Sequence, residues 1–154
     1  MARTRTKNQA TILSETMNKQ VANFSVLYMK LHHYHWYIKG ENFFTLHVKF
    51  EELYTEAALH VDTIAERLLA LGGTPISTLQ GALEMATISE ATGDESTQDM
   101  VGTLADDLTA ICKELTEGIT SAEDNDDQPT ADLFTSIRAS LEKHRWMLKA
   151  YLAE

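Results

Sequence analysis

Four stretches of this chain place apolar residues at alternating spacings of three and four, and only two prolines occur in its 154 residues. That spacing lines up one apolar face of an α-helix, and each stretch is long enough for about 25 to 30 helical residues. In the first, Leu13, Met17, Val21, Phe24, Tyr28, Leu31, His35 and Ile38 predict a helix over roughly 8–39, stopped by Gly40. In the second, which begins near Asn42, the stripe is Leu46, Phe50, Leu53, Ala57, Val61, Ile64, Leu68 and Leu71, and Gly72-Gly73-Thr74-Pro75 ends it. About twenty less regular residues follow, with a short helix expected around Leu79 to Ala86. Ser96 and Asp99 have the spacing of a capping box and open a third helix, with Val101, Leu104, Leu108, Ile111, Leu115 and Ile119 inward. After the acidic turn 123–127, Pro129 suits the first turn of a fourth helix whose stripe is Leu133, Ile137, Leu141, His144, Leu148 and Tyr151.

Four amphipathic helices predict an all-α chain folded as a four-helix bundle. The break between the first two helices is short, so they are antiparallel neighbours. The long link between the second and third predicts the ferritin-like crossover, carrying its own short helix. One domain over 9–154 is expected, behind a flexible basic tail over 1–8 that carries Arg3, Arg5 and Lys7. A single cysteine excludes thiolate metal clusters and an internal disulfide framework. The formal charge of −10 disfavours a body that grips nucleic acid by charge alone. With no apolar run near the ~20 residues of a membrane span, and no signal-peptide core, the expectation is a soluble cytoplasmic protein.

The chemistry-bearing residues gather on the first two helices. No glutamate is followed by histidine three residues on, so the intrachain diiron pattern that repeats Glu-x-x-His is not expected. Instead His35 lies on the first helix, and His47, Glu51, Asp62 and Glu66 lie on the second. His47 and Glu51 share a face, as do Asp62 and Glu66, and both pairs lie on one side of the helix. Eleven residues separate Glu51 from Asp62, about 16 Å of helix, too far for one ion. The short hairpin sets His35 beside His47. Packing the second helix against its copy about a two-fold axis near Ala57 would bring the two ends together. Two equal sites per dimer would then combine two histidines with carboxylates, a donor set suited to iron. The purely structural alternative reads His35 as a core histidine and His47–Glu51 as an ordinary i, i+4 contact.

Further residues carry a resemblance. His35-Trp36, Gly40, Phe43-Phe44-Thr45-Leu46-His47, Phe50-Glu51-Glu52-Leu53-Tyr54, and Asp62 with Ala65-Glu66-Arg67 strongly resemble the Dps family of mini-ferritins. The likeness extends from Asn18-Lys19-Gln20-Val21-Ala22-Asn23 to Lys143-His144-Arg145-Trp146-Met147. It implies a dodecameric shell of ferritin-like subunits. It also implies ferroxidase centres at two-fold interfaces that oxidise Fe(II), preferably with hydrogen peroxide, and store ferric mineral inside. His35, His47, Asp62 and Glu66 match the family's iron ligands. Glu51 stands where the family often has aspartate, so it binds directly or through water. Trp36 matches a tryptophan beside the centre, implied to exchange electrons during oxidation; its structural alternative is an aromatic anchor.

The same resemblance matches Glu123 and Asp132, with Asp126 and Asp127 nearby, to acidic iron-entry pores. Acids at a helix N-terminus are also favoured by its dipole alone. Glu52 and Glu56 are expected either to seed mineral on the inner wall or to form a solvated pair. DNA is the open partner: Arg3, Arg5 and Lys7, repeated over twelve copies, would add up through multivalency. The alternative function is accordingly a DNA-binding, nucleoid-protecting shell with secondary iron chemistry.

Overall fold

The structure, a computed structural model, describes the backbone of residues 2–154 and the side chains of residues 8–154. Its helices are α1 (Ala2–Tyr37), α2 (Phe43–Ala70), α3 (Leu79–Met85), α4 (Thr97–Asp124) and α5 (Gln128–Tyr151). α1 packs along α2 and α4, α4 packs along α5, and the short α3 lies against α1. The chain is therefore a four-helix bundle with a crossover helix between its two hairpins, on the predicted pattern. α1 starts at Ala2, ahead of the start near residue 8 that periodicity suggests. The side chains of Arg3, Arg5 and Lys7, on which the basic-tail expectation rests, lie outside the described residues. Among the described residues no helix is long and apolar enough to cross a membrane.

The helix ends are set by the residues that periodicity and capping rules single out. Gly40 turns the α1–α2 hairpin at φ +95°, a conformation that a side chain disfavours. α2 ends in a Schellman motif: Gly72 N–H donates to Leu69 O and Gly73 N–H to Leu68 O, both at 2.9 Å. Ser96 and Asp99 form a complete capping box at the start of α4. At the start of α5, Asp127 is the N-cap and Pro129 sits in the first turn.

Polar side chains of α1 fasten the long crossover. Asn18 donates to Thr74 O and accepts from Ile76 N–H. Asn23 accepts from Thr87 N–H at 2.7 Å and donates to Glu114 on α4. Lys30 donates to Ser89 O and forms a buried 2.7 Å ion pair with Asp107. Tyr34 donates to Glu95. Every buried side-chain nitrogen and oxygen among the described residues has a partner, as a packed interior requires. So the Asn18–Asn23 segment, part of the family resemblance, is a device that pins the crossover.

The core follows the predicted stripes with local differences. Leu13, Met17, Val21, Phe24, Leu31 and Ile38 are buried, but Tyr28 is exposed. On α2 the inward position after Ala57 is His60, and Leu71 faces solvent. On α5 Phe134 is buried, while Leu133 only flanks the core. Phe134 fits because it lies against Gly118 of α4, where a Cβ would come within 2.5 Å of its ring.

Candidate metal centre

The α1–α2 hairpin brings His35 and His47 face to face, with ring centroids 3.6 Å apart and planes 17° from parallel. Each ring bonds to the other residue's backbone. His35 Nδ1 donates to His47 O at 2.7 Å, and His47 Nδ1 donates to His35 O at 2.8 Å. A carbonyl oxygen only accepts, so each Nδ1 carries a proton. In the neutral rings both Nε2 atoms keep their lone pairs, the tautomer that metal-binding imidazoles adopt. Backbone carbonyls thus fix tautomer and orientation together. Phe43 stacks on His47 at 4.9 Å, and the edge of Tyr54 meets His35 at 5.3 Å. His35 is buried, and His47 is partly so.

The carboxylates are arranged differently. Glu51, Asp62 and Glu66 are all exposed along α2. Among the described residues no three histidine, cysteine, aspartate or glutamate groups come together to hold an ion. The single chain pairs the two imidazoles and leaves the Asp62–Glu66 end about 16 Å from Glu51. Between the two ends lies an apolar groove of about 470 Å³, bordered by Val26, Tyr28, Met29, Ala58, Val61 and Leu83.

Trp36, beside the imidazole pair in sequence, is 62% exposed. It belongs to a run of rings. Trp36 lies 5.2 Å from His32, and His32 stacks on Tyr54 at 3.8 Å. Tyr54 in turn touches His35. His32, to which no role attaches from sequence, therefore sits between Trp36 and the imidazole pair.

Of the four acids expected at an entry pore, Glu123, Asp126 and Asp132 are exposed near the α4–α5 turn. Asp127 is differently occupied. Its carboxylate caps α5 through Thr130 N–H at 3.2 Å and accepts from Arg67 of α2 at 2.7 Å. Burial opposes its charge, but the bonds from Thr130 and Arg67 prevail and hold its carboxyl below the usual range. Asp127 locks the start of α5, and its neighbours present the free acidity.

Glu56 departs from expectation more sharply. Its carboxylate is turned into a cluster of α2 and α5 side chains and is not part of a solvated pair with Glu52. It accepts from Ser140 Oγ, from His60 Nε2 at 3.0 Å and from His144 Nε2 at 2.6 Å. Lys49 Nζ donates to His144 Nδ1 at 3.0 Å, so the proton of that ring sits on Nε2, toward Glu56. Burial alone would raise the carboxyl of Glu56. The bonds from His144, His60 and Ser140 outweigh it and set the carboxyl far below its ordinary value. Only Glu52 remains exposed, with Lys49 at 3.1 Å. A Glu-x-x-x-His spacing whose histidine falls on the apolar stripe is the sequence signal for this hub.

A family model described as a ferritin-like domain matches residues 14–154. General stress protein 20U of Bacillus subtilis (strain 168) is 53% identical over 140 residues, spanning 91% of this chain and 97% of that protein. The DNA protection during starvation protein of Brevibacillus brevis is 52% identical over 141 residues, spanning 92% and 95%. The crystal structure of a Dps protein from Bacillus brevis superposes with a TM-score of 0.93 at 51% identity, covering 94% of this chain and 97% of that one. Dps from Listeria innocua, in a crystal soaked with zinc, gives a TM-score of 0.89 at 41% identity, covering 92% and 97%. Fold, near-complete coverage and sequence agree, and the chain belongs to the Dps family of ferritin-like proteins.

Proposed function

We propose that this protein is a ferroxidase and iron-storage shell, which oxidises Fe(II), preferably with hydrogen peroxide, and sequesters the ferric product. The observation that carries this reading is the imidazole pair. Two rings, locked through Nδ1 to backbone carbonyls, offer adjacent Nε2 positions for a metal beside a carboxylate helix face. Nothing in a bundle core requires that arrangement.

One chain supplies His35, His47 and Glu51, and its two-fold mate supplies Asp62 and Glu66. The apolar groove around Ala58 favours this pairing, because a second copy seated there would bury Val26, Met29, Val61 and Leu83 and draw the two ends together. Glu51 contacts iron directly or through water. Twelve chains, built from such dimers, close the shell in the cytoplasm. Two Fe(II) give one electron each to one peroxide, which takes up two protons and leaves as two waters. Trp36, reaching His35 through His32 and Tyr54, is placed to supply an electron when a centre holds a single iron. Removing ferrous iron and peroxide together is the protective effect. Glu123, Asp126 and Asp132 supply a negative entry funnel, and Asp127 holds its helix in place.

Ferrous oxidation followed optically, with peroxide against oxygen, tests the reading. His35→Ala and Asp62→Ala each slow oxidation at least about tenfold in an intact shell; unchanged rates reject the assignment. A second reading draws on the name of the Brevibacillus brevis relative, DNA protection during starvation protein. In it the basic segment 1–8 contacts DNA outside the 9–154 bundle. Loss of low-salt gel retention on deleting residues 1–8 supports it, and no retention by the intact shell removes it.

A further inference from the structure

A groove of about 310 Å³ runs on the seam between α4 and α5, in a part of the bundle that the metal centre does not use. Lys113 borders it from α4, and Arg138, Glu142 and Arg145 border it from α5. Thr109, Thr116 and the buried Cys112 complete the lining. In a chain of charge −10, three cations and one acid give this groove a local charge of +2. The acid is already engaged, because Arg138 Nε donates to Glu142 at 2.8 Å. The side chains of Lys113 and Arg145 have no hydrogen-bond or ion-pair partner among the described residues. Lys30, Lys49 and Arg67 each have a carboxylate; among the described residues Lys19, Lys39, Lys143 and Lys149 have none either, and what sets Lys113 and Arg145 apart is that they border one groove.

The threonines do not supply the missing recognition. Thr109 Oγ1 donates to Ala105 O and Thr116 Oγ1 to Cys112 O, so their protons are in use. Burial raises the Cys112 thiol, which leaves the floor uncharged. Arg138 and Arg145 lie seven residues apart, two turns along one face of α5. Glu142 stands between them as the one repulsive group. Guanidinium forks match tetrahedral oxyanions in geometry, and a dianion matches the local charge.

We propose that the α4–α5 groove binds a phosphate-class oxyanion through Arg145, Lys113 and the part of Arg138 that Glu142 leaves free. The chemistry is shared by free phosphate and by the phosphodiesters of a nucleic-acid strand. It is independent of iron oxidation, and the test uses metal-free protein, so its outcome does not bear on the ferroxidase reading.

The experiment is calorimetric titration of inorganic phosphate into the assembled full-length protein in dilute chloride buffer. Saturable binding of one phosphate per chain is expected. Lys113→Gln with Arg145→Gln weakens it at least about tenfold, and Glu142→Gln tightens it several-fold. No saturable binding, or equal affinity across the variants, overturns the proposal. If the double variant fails to assemble, Arg145→Gln alone and the opposite shift of Glu142→Gln decide. A neighbouring chain's acids filling the groove would give no phosphate heat and a changed assembly size in Arg145→Gln, which also overturns it. A parallel arm uses a single-stranded oligonucleotide. Binding that phosphate competes away and the double variant loses identifies the strand as the source; phosphate binding without it identifies the free anion.

Discussion

Replacing Glu56 with alanine strands three donors at the meeting of α2 and α5: Ser140 Oγ and the Nε2–H groups of His60 and His144. A buried donor without a partner costs about 1–3 kcal/mol, and more when the lost acceptor was charged. The Glu56 side chain is 22% exposed, so water reaches part of the cluster and the full sum does not apply. We expect about 3–5 kcal/mol for Glu56→Ala and about 2 kcal/mol for Glu56→Gln, which keeps one acceptor and the shape. In a domain of this size that is a fall in Tm of roughly 6–20 °C for alanine. The pH dependence has a definite sign. The folded carboxyl lies well below its ordinary value of 4.5. Its contribution is therefore complete above that value and is lost as pH falls toward the folded value. Thermal and urea unfolding, followed by circular dichroism at matched chain concentration, should show a gap between wild type and Glu56→Gln that persists down to about pH 4.5 and narrows below it. An alanine variant within about 1 kcal/mol of wild type, or a gap indifferent to acid, would refute the hub.

Other consequences are as direct. Gly118→Ala puts a methyl group within 2.5 Å of the Phe134 ring. Overpacking of this kind costs about 1–3 kcal/mol, read by urea unfolding; an unchanged midpoint would contradict the close approach of α4 and α5. Asp127→Ala removes a cap and the partner of Arg67 together, and should cost about 1–3 kcal/mol. Hydrogen exchange in that variant should quicken at the first turn of α5 and not at its end. Trp36→Phe should leave the bundle's stability within about 0.5 kcal/mol, since the ring is 62% exposed in the chain, while lowering the yield of oxidation at substoichiometric iron.

Helix number, order and caps were legible because each rests on local chemistry. The three-and-four spacing, Gly40, the Ser96–Asp99 box and Pro129 all speak within a few residues of where they act. The juxtaposition of His35 with His47 was legible too, because a short hairpin makes equal distances from a turn into neighbours. The reciprocal bonds to backbone carbonyls were not, since they depend on ring orientation across the hairpin. Tyr28 was misassigned to the core because a stripe drawn at average spacing cannot register the small rotation that turns its ring toward His32 and Tyr54. The Glu56 hub escaped for a related reason. Its partners, Ser140 and His144, are distant in sequence, and a search for Glu-x-x-His passes over a histidine four residues on. Asp127 shows the same limit: an acid in an acidic turn carries no mark that Arg67, sixty residues away, is its partner.

Each metal centre is proposed to be shared between two chains. The most direct measurement is complementation: His35→Ala and Asp62→Ala chains are mixed in equal amounts, dissociated and reassembled, and their ferrous oxidation rate is compared with that of each variant alone. In a mixed dimer one centre carries both lesions and the other carries neither. With random pairing, half the dimers are mixed, and about one quarter of all centres regain a complete ligand set. Recovery to about a quarter of the wild-type rate is expected. Centres built within one chain would give no recovery, and that result would contradict the sharing.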